Sequence, residues 1–227
     1  FFAVKGHTVD GREYIPSALA KGACAIVTRE ELEEVFPVPV IKVEDIDLAM
    51  ADAACSFYGN PSKDLNMIGV TGTKGKTSIS YLIESILFEA KHKPAVMGTI
   101  NYRVNGQKIS KAPNTTPAPL LLQNILYQAK KAGCGDVVME VSSHALEYQR
   151  VRGIDFNIAI FTNLQRDHLD FHTTFDNYFA AKRKLFENLI SPNNTKQKKS
   201  AIINIDDPYG EKLAEMLKNK VKLVTYS

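Results

Sequence analysis

Residues 70–90 read VTGTKGKTSISYLIESILFEA, and this stretch decides the fold. The apolar run that leads into it (residues 67–70, MIGV) has the pattern of a buried strand, and residues 76–90 carry apolar side chains at helical spacing. A glycine-rich turn between a strand and a helix lets backbone N–H groups face an anion at the positive end of the helix dipole. The sequence therefore predicts a phosphate-binding loop here; a plain strand-to-helix turn with incidental glycines is the alternative.

The loop departs from the common Walker A pattern, which has Gly, four residues, and then Gly-Lys-Thr or Gly-Lys-Ser. Counting back from Gly75 reaches Val70, where that pattern has its first glycine. The rest of the pattern is present: Lys76 is placed to reach the outer phosphates of a nucleotide, and the Thr77 hydroxyl is placed to bind Mg²⁺. The spacing alone leaves open whether the loop is a damaged nucleotide site or a variant.

The composition is that of an ordinary globular protein of one large domain or two smaller ones, with 227 residues, 44% hydrophobic and 23% charged. The net charge of +3 is too small a bias to predict nucleic-acid binding. The basic cluster of Lys196, Lys198 and Lys199 lies among Asn and Gln residues, so it is expected to be a solvated loop.

Cysteine usage and hydropathy predict a cytoplasmic protein. Cys24, Cys55 and Cys134 lie singly among apolar residues without metal-ligand spacing, and they are expected to be buried free thiols in a reducing compartment. No run of 18 apolar residues and no signal peptide is visible, so no membrane partner is expected.

Strand and helix patterns alternate along the chain and predict an α/β fold with a mostly parallel sheet flanked by helices. A small N-terminal α/β domain is expected at residues 1–59 and a longer central domain at residues 60–227. The linker between them is rich in Gly, Asn, Pro and Ser. Because the chain opens without Met and both ends have strand patterns, each domain is expected to be incomplete at its end of the chain.

The predicted elements are short and regularly spaced. Strands are expected at 1–4, 23–28, 38–43, 67–72, 95–104, 107–110, 136–142, 156–164, 200–205 and 222–227, and helices at 15–21, 47–58, 76–90, 116–132, 175–190 and 208–217. The Asn-Gly pair at 105–106 predicts a hairpin turn.

Polar side chains follow two of the apolar strands. Glu140 lies at the end of the strand predicted at 136–142, and His168 follows the strand predicted at 156–164, near Asp167, Asp170 and His172. Because the carboxyl ends of parallel strands form the ligand edge of such sheets, Glu140 and His168 are expected to bind a divalent ion beside phosphates. The alternatives are that Glu140 caps the next helix and that His168 is a surface residue. For Lys182, spacing alone favours a solvated helix face.

Six motifs together resemble the Mur ligase family, and the resemblance covers essentially the whole chain. They are GHTVDGREYI at 6–15, GVTGTKGKTS at 69–78, NTTP at 114–117, MEVSSHALEYQR at 139–150, FTNLQRDHLDFH at 161–172 and YFAAKRKLF at 178–186. The phosphate loop of this family is the short form Thr-Gly-Thr-(Asn or Lys)-Gly-Lys-(Thr or Ser). The resemblance thus identifies the loop as a family variant, with Lys74 where Asn is commoner.

The resemblance implies a nucleotide and metal site. The residues expected to cradle ATP are Gly72, Thr73, Lys74, Gly75, Lys76, Thr77 and Ser78. The expected Mg²⁺ ligands are Thr77, Glu140, His168 and Lys182. The expected catalytic residues are Lys76, His168 and Lys182. Lys182 matches a lysine that reacts with CO₂ in this family, which converts it to an anionic carbamate able to hold a second Mg²⁺.

The resemblance also implies a substrate site. Thr115, Thr116, Ser142 and Arg150 match positions that hold a UDP-muramoyl peptide, and His7, Thr8 and Val9 match the loop that contacts uridine diphosphate. Family members often carry Gln two places before the residue that matches Arg150. Here Tyr148 stands there and Gln149 follows it, so the sequence departs from the family pattern at this substrate contact.

Within the family, the motifs are most similar to those of the ligase that adds a diamino acid to UDP-N-acetylmuramoyl-L-alanyl-D-glutamate. The implied reaction uses ATP and an acyl-phosphate intermediate to form an amide in peptidoglycan precursor synthesis. Meso-diaminopimelate and L-lysine both remain open as acceptors, because a further C-terminal domain reads the acceptor in family members. Without that domain, the present chain is expected to be inactive.

A monomer that binds these small molecules and no nucleic acid is expected. The alternatives are a related ligase, such as folylpolyglutamate or cyanophycin synthetase, and a non-catalytic nucleotide-binding module.

Overall fold

The computed structural model describes residues 1–6 and 9–227. The first part of the chain contains the helices α1 (Ile15–Ala20) and α2 (Ile46–Phe57) and a parallel pair of strands, β1 (Ile26–Thr28) and β2 (Val40–Lys42). Ala3, Ile15 and Ile26 form its small buried core. The prediction of a strand at residues 1–4 is wrong, because Phe2 makes only an isolated bridge with Val27.

The rest of the chain forms an eight-stranded sheet. Its strands are β3 (Asn66–Thr71), β4 (Pro94–Met97), β5 (Asn101–Val104), β6 (Gln107–Lys111), β7 (Asp136–Glu140), β8 (Ile158–Phe161), β9 (Ser200–Asn204) and β10 (Lys222–Tyr226). The spatial order is β10-β9-β8-β3-β7-β4-β5-β6. The strands from β10 to β4 in this order are parallel, whereas β5 is antiparallel to both β4 and β6. The mostly parallel sheet predicted from the sequence is confirmed.

Helices cover both faces of this sheet. They are α3 (Lys76–Glu89), α4 (Pro119–Lys131), α5 (Ser143–Glu147), α6 (Leu169–His172), α7 (Phe175–Ile190) and α8 (Pro208–Leu217), together with 3-10 turns at Gly11–Tyr14 and Pro61–Asp64. Successive residues of β3 face opposite sides, as a strand requires. Ile68 and Val70 pack under α3, whereas Met67 belongs to the larger core shared with α4, α7 and α8.

The prediction of a single strand at residues 95–104 is wrong. This region is divided into β4 and β5, which pair with each other in antiparallel fashion on either side of Gly98. The hairpin turn predicted at Asn105 and Gly106 is confirmed between β5 and β6. The two short helices α5 and α6 were not predicted, and α4 begins three residues later than expected, with Pro119 in its first turn.

The basic loop near residue 196 is not solvated as expected. The Lys196 ammonium donates to the carbonyl oxygens of Ser62, Lys63 and Leu65 at 2.7, 2.7 and 2.6 Å. Lys199 likewise donates to the carbonyl of Asn194 at 2.8 Å. These bonds tie the loop before β9 to the segment that leads into β3.

The three cysteines differ in burial. Cys24 is exposed, so the expectation that it is buried is wrong, whereas Cys55 and Cys134 are buried free thiols as predicted.

In the described part of the chain, no helix combines the length and apolar character needed to cross a bilayer.

The backbone is strained at Thr173, directly after α6. Its φ and ψ are 67° and −48°, and the Thr174 N–H donates to the His172 carbonyl at 2.7 Å. This is the rare left-handed form of the γ-turn, which is unfavourable for a β-branched residue. Because the Thr173 side chain is exposed, no burial offsets the strain.

Replacing Thr173 by Gly is expected to stabilise the fold. A strained residue of this kind costs about 1–3 kcal/mol, and the greater freedom of glycine in the unfolded chain offsets about 0.5–1 kcal/mol of the gain. Urea denaturation should therefore give an unfolding free energy about 1 kcal/mol higher than that of the wild type. Asn219→Gly is the matched control, because Asn219 also has a positive φ of 63° but asparagine adopts it at little cost. Equal changes in the two variants would contradict strain at Thr173.

Candidate active site

The loop between β3 and α3 requires glycine at its start. Gly72 has φ 145°, and a Cβ atom there would lie 1.9 Å from the Thr162 hydroxyl oxygen. Gly75 has φ 86° and is the N-cap of α3, and it provides no side chain to cap the helix. The N–H groups of the first helical turn therefore lack a side-chain cap and are directed toward the site that an anion would occupy.

Residues that follow β8 hold this loop in place. Asn163 accepts hydrogen bonds from the N–H groups of Thr73 and Lys74, through its carbonyl and its side-chain oxygen, each at 2.9 Å. The Thr73 hydroxyl lies 3.2 Å from the Tyr178 hydroxyl and accepts from the Gln165 N–H at 2.9 Å. The loop is thus fixed by the neighbouring strand and by α7.

The Lys76 side chain folds back over the loop. Its ammonium donates to the carbonyl oxygens of Gly72 and Thr73, both at 2.9 Å. Burial lowers the pKa of Lys76, and the charges of Glu140 and Asp167 oppose that shift. A cation held at the mouth of the loop suits an anionic ligand.

Glu140 is a buried carboxylate beside the loop, at the end of β7, and only 1% of it is exposed. Its Oε2 accepts from the hydroxyls of Thr77 and Thr99, both at 3.0 Å, and its Oε1 accepts from the Thr99 N–H at 2.9 Å. Glu140 does not cap α5, because Ser142 is the N-cap there and accepts from the Ala145 N–H. That alternative is wrong.

Gly98 makes room for the Glu140 carboxylate. A Cβ atom at Gly98 would lie 2.1 Å from Glu140 Oε1. Sequence reasoning did not single out Gly98 or Thr99, although a glycine inside a predicted strand is a known sign of close approach by another group.

One cleft brings most of the predicted site residues together. Its volume is about 280 Å³, and its lining consists of Thr73, Gly75, Lys76, Thr77, Ser78, Thr99, Thr115, Glu140, Ser142 and His168. His168 is the N-cap of α6 in a left-handed conformation, with φ 50°. Its ring meets that of His144 edge-on, with centroids 4.9 Å apart. Residues predicted to bind nucleotide, metal and substrate therefore lie together at the carboxyl edge of the sheet.

Lys182 lies behind the loop and does not line this cleft. It is 1% exposed, so the solvated helix face favoured by spacing alone is wrong. Its amine donates to the Gly72 carbonyl at 2.9 Å and lies 4.4 Å from the centre of the Tyr178 ring. Burial, and then the nearby charge of Lys76, lower the pKa of Lys182 well below its usual value. The neutral amine is thus favoured.

The other predicted substrate residues lie around the cleft in different ways. Thr116 is fully buried, and its hydroxyl donates to the Glu140 carbonyl at 2.8 Å. Arg150 donates to the Thr116 carbonyl at 3.3 Å. Arg150 and Tyr148 line a second pocket of about 290 Å³ with Lys5 and Asp47 from the first part of the chain. Val9 is exposed, whereas His7 and Thr8 lie outside the described residues.

Within residues 1–6 and 9–227, no group of three or more His, Cys, Asp or Glu side chains is placed to hold a metal ion. The predicted magnesium site does not depend on such a group, because Mg²⁺ is commonly held by one or two carboxylates together with phosphate oxygens and water.

In this mostly parallel sheet, a glycine loop follows the central strand β3, and the next helix starts with Lys76 and Thr77. These features define a protein with a phosphate-binding loop. The chain belongs to the Mur ligase family: the Mur ligase middle domain matches residues 70–227, and the catalytic domain of the Mur ligase family matches residues 1–58.

Two curated relatives carry the name UDP-N-acetylmuramoyl-L-alanyl-D-glutamate–2,6-diaminopimelate ligase. The one from Geobacter metallireducens is 45% identical over 214 residues, which are 94% of this chain and 42% of the relative. The one from Halalkalibacterium halodurans is 46% identical over 226 residues, which are 100% of this chain and 45% of the relative. The chain therefore spans less than half the length of these relatives.

Solved structures agree on the fold. A structure of a ligase with the same name superposes with a TM-score of 0.82 at 33% identity, covering 100% of this chain and 45% of that one. The folylpolyglutamate synthase of Mycobacterium tuberculosis gives a TM-score of 0.62 at 15% identity, covering 78% of this chain and 46% of that one. The second likeness shows the fold alone.

Replacing Gly98 by Ala is expected to destabilise the protein. The new methyl group would overlap Glu140 Oε1, and the carboxylate cannot shift without losing the bonds that its two oxygens accept from Thr99. Overpacking of this kind costs about 1–3 kcal/mol, measurable by urea denaturation. Gly135→Ala is the matched control, because its added Cβ would meet nothing within 4 Å. An unchanged unfolding free energy in Gly98→Ala would contradict the close approach.

Proposed function

We propose that this chain is the nucleotide- and substrate-binding part of an ATP-dependent ligase that adds 2,6-diaminopimelate to UDP-N-acetylmuramoyl-L-alanyl-D-glutamate. The observation that carries the proposal is the cleft in which Lys76 and Thr77 of the loop meet Glu140 and His168. The names of relatives 45% and 46% identical over nearly all of this chain support the acceptor and the substrate. L-Lysine, the other acceptor considered, has no support among those names.

The loop fits the phosphates of ATP. The uncapped start of α3 offers backbone N–H donors, and Gly72 and Gly75 leave the backbone open to close approach. Lys76 is already held at the loop and would exchange its two carbonyl partners for phosphate oxygens. Thr73, Lys74 and Ser78 complete the predicted cradle.

The ligands next to the loop fit Mg²⁺. The Thr77 hydroxyl and the Glu140 carboxylate are oxygen donors that already touch each other at 3.0 Å, and His168 lines the same cleft. Hard divalent cations prefer such oxygen ligands, with water and phosphate completing the shell. Bound Mg²⁺ would neutralise negative charge that develops as the phosphoryl group is transferred.

Lys182 fits the predicted reaction with CO₂. Only a neutral amine adds to CO₂, and burial together with the charge of Lys76 favours the neutral form of Lys182. The product is a carbamate anion, which forms as the amine nitrogen bonds to carbon and loses a proton. We propose that this anion, adjacent to Gly72 and Lys76, orients the metal and the phosphoryl group.

The substrate is proposed to contact the part of the cleft formed by Thr115 and Ser142, which both line it. Arg150, in the adjoining pocket with Lys5, is positioned to meet anionic groups of the UDP-muramoyl peptide. Thr116 would act indirectly, since its hydroxyl is used within the protein. His7, Thr8 and Val9 stay predictions for contacts with uridine diphosphate.

The proposed reaction joins a carboxylate to an amine. A D-glutamyl carboxylate oxygen bonds to the γ-phosphorus of ATP as the bond to ADP breaks, which gives an acyl phosphate. The amine of the diamino acid then forms the amide bond, loses a proton and displaces phosphate. Lys76 stabilises the first step, in which two anions must approach. These are small soluble partners, consistent with the cytoplasmic monomer predicted from the sequence.

The alternatives fit less well. The folylpolyglutamate synthase matches only 78% of this chain, whereas the Mur ligase family match includes residues 1–58. A non-catalytic nucleotide-binding module would not need Glu140, His168 and the buried Lys182 around one loop. A ligase assay on the full-length protein that contains this chain tests the proposal, with a folate and the UDP-muramoyl dipeptide offered separately. Turnover with the folate alone would overturn it.

Lys76→Ala in the full-length protein is expected to abolish turnover while the fold is kept. Removing one group that stabilises the transferring charge typically lowers the rate by about 10²–10³. ADP release measures turnover, and circular dichroism measures the fold. Lys93→Ala, at an exposed position beyond α3, is the control that should keep the wild-type rate. Near wild-type ADP release from Lys76→Ala would contradict the assignment.

Lys182→Ala is expected to lose turnover and to regain part of it with a small added carboxylate. The truncated side chain leaves a buried space behind Gly72, in which formate or acetate can replace the carbamate group. Lys184→Ala is the control on the same helix, where the lysine is paired with Glu147 and no rescue is expected. Failure of rescue at every carboxylate concentration would count against the carbamate.

A further inference from the structure

The Thr99 hydroxyl connects Glu140 with Thr115. Its oxygen lies 3.0 Å from Glu140 Oε2 and 3.1 Å from the Thr115 hydroxyl oxygen. An ionised carboxylate can only accept hydrogen bonds, so Thr99 donates to Glu140. A hydroxyl has one hydrogen, and Thr115 must therefore donate to Thr99. The hydrogen bonds run in one direction, from Thr115 through Thr99 to Glu140.

Glu140 Oε2 has no lone pair left in this arrangement. It accepts from Thr77 and from Thr99, which uses both of its acceptor directions. Oε1 accepts from the Thr99 N–H and lies against Gly98. Glu140 can therefore contact a cation in the cleft through Oε2 only after one hydroxyl hydrogen turns away.

Thr99 is the donor with another partner within reach. Thr77 can keep its hydrogen on Glu140 and still offer an oxygen lone pair to the same cation. The Thr99 hydrogen can instead turn to the Thr115 oxygen at 3.1 Å. Thr115 then no longer donates to Thr99, and its own hydrogen is free to point into the cleft.

We propose that Thr99 is a positioning residue that couples cation binding at Glu140 to substrate binding at Thr115. With the cation bound, Thr115 changes from a donor within the protein to a donor toward an oxygen atom of the muramoyl peptide. The coupling requires only two hydroxyl rotations, and no covalent bond changes. This inference rests on the proposed function, because it takes that peptide as the ligand next to Thr115.

Coupling of this kind is reciprocal: the cation strengthens peptide binding by the same factor by which the peptide strengthens cation binding. One gained hydrogen bond corresponds to about a three- to tenfold change in affinity. The charge of the cation also attracts an anionic peptide, but that attraction is equal in variants that differ only at Thr99. The comparison between variants therefore isolates the hydroxyl.

The test is calorimetric titration of the full-length protein with UDP-N-acetylmuramoyl-L-alanyl-D-glutamate. The peptide is titrated into each protein once with ADP and saturating Mg²⁺ and once with ADP and EDTA. The quantity compared between variants is the dissociation constant in EDTA divided by the dissociation constant in Mg²⁺. Thr99→Val keeps the N–H bond to Glu140 but removes the hydroxyl, so the ratio is expected to fall about three- to tenfold. Thr99→Ser should keep the wild-type ratio, as should the control Thr225→Val on β10.

Thermal unfolding without ligands checks that each variant is folded. If Thr99→Val does not fold, Thr115→Val provides the same test from the other hydroxyl and should also lower the ratio. A wild-type ratio in the valine variant, or a lowered ratio in Thr99→Ser, would overturn the coupling alone. A wild-type protein that binds no peptide under either condition would overturn the proposed function and the coupling with it.

Discussion

The structure depends on a buried carboxylate that no cationic side chain among residues 1–6 and 9–227 contacts directly. Glu140 is 1% exposed, and its three hydrogen-bond donors are the neutral groups of Thr77 and Thr99. Burying a charge is costly unless its acceptor positions are filled. Several local features follow from this requirement: β7 lies beside β3, the first turn of α3 carries a hydroxyl, and the turn after β4 begins with glycine.

The loop itself is held by two lysine side chains that point inward. Lys76 and Lys182 both donate to the Gly72 carbonyl at 2.9 Å, one from the helix that follows the loop and one from α7. A second ammonium group on this oxygen would be repelled by that of Lys76, and this repulsion, after burial, lowers the pKa of Lys182. The arrangement places the charge of Lys76 at the glycine loop, and it explains why the buried Lys182 amine is favoured as neutral.

Much of this could be predicted from the sequence, because periodic patterns are local. The strand and helix on either side of Gly72 follow from apolar spacing, and α7 and α8 have the predicted bounds. The only local sign of the break at Gly98 is the glycine itself, since the residues on both sides favour strands and the cause is a distant carboxylate. Helices α5 and α6 are too short for periodicity. The burial of Lys182 and Lys196 depends on tertiary contacts that no local pattern encodes.

One of the two edge strands of the sheet, β6, has a composition that matters in a crowded cell. Strand β6 is the last strand beyond β5, and all five of its residues are exposed. An exposed edge strand can pair with a strand from another molecule and so begin aggregation. Lysines on such a strand oppose this pairing by charge repulsion. Lys108 and Lys111 stand on this strand. Their charges oppose the addition of a strand from another molecule, so this exposed edge is a poor template for fibril growth.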